Sequence, residues 1–183
     1  MFILYAIPIG IGVGYLLGGR LDRLGDLRLR WVPVILLGLA VQVAIFSDQV
    51  GRAVGDAGPA LYVGSTAAVF VAVLRNVAIP GVAVIAVGAG CNLAAIVANG
   101  GWMPADPAAL ESIGGLATGY TNSVVVAEPA LRPLTDLFAL PAWLPMDNVF
   151  SIGDVLIGIG VAATIALAMR RQAPGTERGR PGA

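Results

Sequence analysis

What most restricts the fold of this chain is where its charges are missing. Residues 1–19, 31–47, 60–74 and 80–98 contain no Asp, Glu, Lys or Arg, and 151–169 contains only Asp154. A helix that crosses the hydrocarbon layer of a bilayer needs about 20 apolar residues, and each stretch approaches that length. Only 12% of the residues are charged, against roughly 25% in soluble domains, so a soluble globule of this size would lack polar surface. The expected fold is an all-α polytopic membrane helix bundle with about five transmembrane helices, at 2–19, 31–47, 60–74, 80–98 and 151–169. These would form a single membrane domain over 1–171, with a disordered cytoplasmic tail at 172–183.

Arginine orients this layout. Five spans place Arg20, Arg23, Arg28, Arg30, Arg75, Arg170, Arg171, Arg178 and Arg180 on one side and only Arg52 and Arg132 on the other. Cytoplasmic loops carry the arginine excess. The expected location is therefore the plasma membrane, with the N-terminus outside, the C-terminus cytoplasmic and the 99–150 connection external. The sequence RLDRLGDLRLR at 20–30 reads as a topology-fixing loop, or as a short interfacial helix against anionic headgroups. Residues 48–58 read as a polar loop and Arg75-Asn76 as a tight turn. Pro80 suits the start of the fourth span, where its missing N–H costs little.

Few polar residues fall inside the spans. Gly10, Gly14 and Gly18 recur every fourth position, a spacing that lets helix backbones approach closely; a ligand groove is the alternative. Gln42 and Asn92 are expected to make interhelical hydrogen bonds rather than to hold a substrate. Asp154 admits two readings. An ionisable residue in a membrane segment is a functional candidate. Ser151 and Asp154 also have the spacing of a capping box, with the carboxylate facing the positive end of the helix dipole.

The external connection, about 50 residues, is too long for a structureless loop in a compact fold. Asp106-Pro107 fits an N-cap followed by Pro at the first helical position, which predicts a short helix from 107 to about 113. The uncharged stretch 112–127 reads as re-entrant or interfacial, with a sixth span as the alternative. One helical turn is expected at 135–138, and Trp143 and Phe150 suit an interface. The candidate functional residues are Asn99, Trp102, Asp136, Asp147, Asn148 and Asp154.

Asn99-Gly100-Gly101-Trp102-Met103-Pro104 follows an apolar stretch; Leu134-Thr135-Asp136-Leu137-Phe138 and Phe150-Ser151-Ile152-Gly153-Asp154-Val155-Leu156-Ile157 come later. With these motifs the chain, from its first span to Met169, resembles a family of small bacterial multi-pass membrane proteins known only as a domain of unknown function. The resemblance implies a bacterial inner-membrane protein and supplies no activity and no catalytic residues.

The chain has no His, no Lys and one cysteine, Cys91. The commonest metal ligand and the usual near-neutral proton shuttle are thus missing, and no intramolecular disulfide or cysteine zinc site can form. Zero net charge gives no bulk field for nucleic acid. No catalytic residue, metal site or cofactor is expected. The expected partners are the lipid bilayer and a membrane-protein partner or a second copy of the chain. The function read from the sequence is a non-catalytic membrane component that binds a partner or lipid through its external segment. A small oligomeric channel or carrier is the first alternative. A membrane enzyme using Asp106, Glu111, Glu128, Asp136 and Asp147 is the second.

Overall fold

The structure, a computed structural model, describes residues 2–114, 123–141, 143–145 and 148–170. Most of them are helical. The long helices are α1 (Ala6–Leu16), α2 (Val32–Ile45), α4 (Gly58–Leu74), α5 (Val82–Ala98) and α7 (Ile152–Arg170); α3 (Asp48–Val54) and α6 (Pro107–Ser112) are short. The long helices are apolar all round, as suits burial or lipid contact rather than one wet face.

Two described helices, Gln49–Leu74 and Ile152–Arg170, are long and apolar enough to cross a membrane; Ile3–Leu16, Val32–Ile45 and Val82–Ala98 are shorter. Local backbone sets these ends. The chain leaves α1 after Leu16 and turns at Gly18, whose φ of +76° is open to glycine at little cost. Trp31 takes φ +61° just before α2. Pro80 lies outside α5, which starts only after Gly81 at φ +93°. The polar loop expected at 48–58 is instead helical. The Ser47 carbonyl accepts the first bond of α3 from Gly51 N–H (2.8 Å), and a 3-10 turn at Gly55–Ala57 carries the helix into α4. Pro59 does not interrupt it, because it falls in the first turn of α4.

The helices pair in the order α1, α7, α5, α4, α2. The last helix, α7, thus inserts between α1 and α5. Close approaches give the directions. Gly10 meets Ala162 and Gly14 meets Met169, so α1 and α7 run parallel; Gly81 meets Gly160 and Gly88 meets Gly153, so α5 and α7 are antiparallel. Gly38 meets Val69 while Phe46 packs edge-on against Tyr62, so α2 and α4 are antiparallel. Gly90 meets Phe70 and Gly101 meets Pro59, so α4 and α5 are too.

One end of the bundle therefore gathers the start of α1, the end of α2, the start of α4, the end of α5 and the start of α7. A cap built from the described residues between 99 and 150 covers it. The fold is mostly helical, and the cap adds two short strand pairs to the expected helices. β1 (Met103–Pro104) pairs parallel with β2 (Ser123–Val124), and β3 (Phe138–Ala139) pairs antiparallel with β4 (Val149–Phe150). The helical turn expected at 135–138 is absent. A 3-10 turn at Arg132–Leu134 precedes it, and Asp136 bridges Ala105. Extended backbone wins because Asp136 N–H donates to the Pro104 carbonyl while Asp106 N–H donates to the Asp136 carbonyl (both 2.9 Å).

Two apolar clusters hold the cap. Met103 joins Ile45, Tyr62, Ala95 and Ile96, fastening the cap to α2, α4 and α5. Ala105, Ala109, Leu110 and Val149 form its own small core. The Tyr5 hydroxyl donates to the Pro145 carbonyl, which ties in α1.

Candidate functional site

Where α7 begins, three side chains close a network. The Ser151 hydroxyl accepts the Asp154 N–H (3.0 Å), and Asp154 Oδ2 accepts the Ser151 N–H (3.1 Å). This is a reciprocal capping box, and it satisfies two of the donors left over at a helix N-terminus. The same side chains also reach across to α5. Asn92 Nδ2 donates to Asp154 Oδ1, and the Ser151 hydroxyl donates to Asn92 Oδ1 (both 2.8 Å). Ser151 is fully buried. The contact is close because residue 153 is glycine, with Asn92 Oδ1 packed where a Cβ would stand. Asp154 and Asn92, separate candidates in the sequence, are one polar clamp.

Gln42 Nε2 donates to Thr66 Oγ1 (3.3 Å), joining α2 to α4. Gly10 and Gly14 are buried against α7, but Gly18 is not in that seam; it has turned away, with none of the described residues near its missing Cβ. Gly19 replaces it, against Met169 and the Gly14 carbonyl. The αL turn at Gly18 shifts the small-residue row by one position.

In the cap, Asn99 donates to the carbonyls of Ala95 (2.8 Å) and Ala130 (2.9 Å) and accepts the Ala130 N–H (2.9 Å). Its amide thus stitches the end of α5 to residues 128–131. Trp102 is half-buried at the root of the cap and Asp136 is buried within it. The Asn148 carbonyl accepts the Leu140 N–H (2.9 Å), extending the β3–β4 pair. Asp147 and the tail at 172–183 lie outside the described residues, as does 115–122 of the stretch expected to be re-entrant or interfacial.

The cap also contains an open cleft of about 480 Å³. Pro107, Val125, Val126, Pro129 and Leu137 supply apolar wall, and Asp106, Glu128 and Arg132 supply charge. Asp106 is already engaged. Its Oδ1 accepts from Ala108 N–H (3.0 Å) and Ala109 N–H (3.4 Å), capping α6 as expected, while Oδ2 takes the Arg132 guanidinium at 3.5 Å. That ion pair is largely exposed on the arginine side, so it adds little stability. Glu128 is exposed on the rim. Among the described residues no three His, Cys, Asp or Glu side chains converge as metal ligands. Chemically, the cleft can hold an apolar group flanked by charges of both signs.

The sequence reading missed two elements. The cleft joins residues up to 32 positions apart, Ala105 to Leu137, which no local pattern reveals. Asn76, buried, has its Oδ1 accept the Arg30 N–H (2.7 Å) and its Nδ2 donate to the carbonyls of Arg30 (2.9 Å) and Ala72 (2.8 Å). It clamps the entrance of α2 to the end of α4.

A model described as a family of unknown function (DUF5317) matches residues 26–166. The match starts after α1 and stops within α7, short of the expected extent from the first span. No curated protein and no solved structure matches the chain.

Proposed function

The chain belongs to a family of unknown function, so its own geometry must supply the reading, and we propose a multi-pass protein of the bacterial plasma membrane that binds a partner protein through its external cap. The observation that carries this reading is the cleft of about 480 Å³ in the cap. Apolar wall beside both signs of charge suits a short peptide segment with one or two polar side chains.

Several features support the membrane part. Large apolar side chains on the outer faces are open, with Leu16 at 87%, Leu36 at 62%, Leu37 at 67% and Val43 at 72% exposure. An extended apolar surface of this kind marks a membrane or partner contact. The arginines at the end opposite the cap agree with a cytoplasmic face there. α1, α2 and α5 have 11, 14 and 17 residues, and uncharged residues at their ends lengthen each apolar stretch towards that of a span. Gln42, Asn92 and Asp154 are engaged in hydrogen bonds between helices or at a helix cap, which favours a binding role over a channel or carrier.

A photo-crosslinking residue tests the binding role in cells. Placed at Val125 in the cleft it should give a discrete protein adduct that Arg132→Glu weakens. Placed at Leu37 it should give none. Absence of an adduct from both Val125 and Glu128 would overturn the reading.

A further inference from the structure

At the end away from the cap, one basic surface is built with more care than a loop needs. Asn76 holds both the N–H and the carbonyl of Arg30, and the next residue, Trp31, has φ +61°. A left-handed conformation at a bulky residue is costly and persists only where its surroundings hold it. The result is that the Trp31 ring, 47% exposed, lies beneath the Arg75 guanidinium at 5.3 Å. Arg28 and Arg30 are exposed beside it in sequence, and neither pairs with a carboxylate among the described residues. Arg20, by contrast, is occupied: its hydrogen bond holds the Asp22 carboxyl below the usual carboxylate range. Arg23 donates to the Met169 carbonyl (3.3 Å) at the end of α7. Leu29, 44% exposed, adds an apolar neighbour.

We propose that Arg28, Arg30, Trp31 and Arg75 form a binding surface for the phosphodiester headgroup of an anionic phospholipid. The occupant follows from chemistry. Guanidinium groups match phosphate oxygens geometrically. A half-exposed indole suits the headgroup level of a bilayer. The leucine suits the upper acyl chain. A soluble anion would use the arginines but would gain nothing from the exposed indole and leucine.

This inference rests on the membrane reading above, and one experiment separates the two. The full-length protein is placed in nanodiscs of equimolar phosphatidylglycerol and phosphatidylcholine, then released for native mass spectrometry. Retained phosphatidylglycerol should exceed phosphatidylcholine by about fivefold, the scale of one arginine at an anionic surface. Arg28→Gln with Arg30→Gln should bring the ratio towards one, and Arg28→Lys with Arg30→Lys should keep only part of it, because the charge remains and the bidentate geometry is lost. Equal retention of the two lipids by the unsubstituted protein overturns the headgroup surface while leaving the membrane reading intact. Failure of the protein to enter nanodiscs overturns both.

Discussion

Asp154 shows what a single residue must satisfy here. Capping alone would make Asp154→Asn mild, since Asn still accepts a hydrogen bond and loses only a dipole term of about 0.3–1 kcal/mol. The geometry is more demanding. One carboxylate oxygen takes the Ser151 N–H and the other the Asn92 amide. An Asn side chain has one acceptor oxygen, so its NH2 must face another donor. Asp154→Asn should therefore cost about 1–3 kcal/mol, the penalty for a broken hydrogen bond in a part-buried site, read as a lower melting temperature in detergent. Ser151→Ala should cost about 1 kcal/mol or more. The two should couple by about 0.5–3 kcal/mol in a double-mutant cycle. Strict additivity would mean the network does not act as a unit. The capping half of this site was legible, because Ser151 and Asp154 are three residues apart. The Asn92 half was not, because nothing local to 92 or 154 says which helix faces which.

Glycines determine how closely the elements pack. Gly81, just before α5, and Gly88 within it are seven residues apart, as are Gly153 and Gly160 on α7; the pairs are Gly81 with Gly160 and Gly88 with Gly153. A seven-residue repeat keeps one seam facing its partner along both helices, and small residues there bring backbones together. A Cβ at Gly88 would stand 2.9 Å from Ile157 N as well as against the Gly153 carbonyl. Gly88→Ala should therefore destabilise by about 1–3 kcal/mol through overpacking. Gly12, with no described residue within 4 Å of its missing Cβ, is the control: Gly12→Ala should be neutral or stabilise by up to about 1 kcal/mol from backbone entropy. Similar melting temperatures for the two would mean the α5–α7 seam tolerates separation. Gly14→Leu, aimed into Met169, should abolish accumulation or sharply lower the melting temperature. The spacing of Gly10 and Gly14 was visible in the sequence, and their partner α7 was not. The Gly18 turn also broke the expected row, since a spacing rule assumes the helix continues and α1 had ended at Leu16.

For the whole molecule, charge and chain direction are two independent guides to orientation. The first guide is the arginine distribution, read from sequence alone. The second is the packing: α1 and α7 are parallel, and α2, α4 and α5 alternate between them. Helix direction places the chain around Arg20–Arg30, Arg75 and Arg170 at one end. This can be checked at two contacts, Arg20 N–H to the Met169 carbonyl (2.9 Å) and the Arg30–Asn76 clamp. Arg132 belongs to the cap at the other end, and Arg52 lies in α3, which leads from the end of α2 into α4. Only α7 lies between the cap and Arg170, so the proposed membrane crossing by α7 puts the two on opposite sides. If the arginine end is cytoplasmic, as proposed, alkaline phosphatase fused after Asp106 should be active, because that enzyme needs the oxidising exterior to form its disulfides. The same enzyme fused after Arg171 should be inactive, and a fluorescent protein fused there should glow. An inactive Asp106 fusion together with an active Arg171 fusion would invert the molecule and put the cleft in the cytoplasm. Activity at both sites would mean that α7 does not cross the membrane, and the cap and the arginine end would then share one compartment.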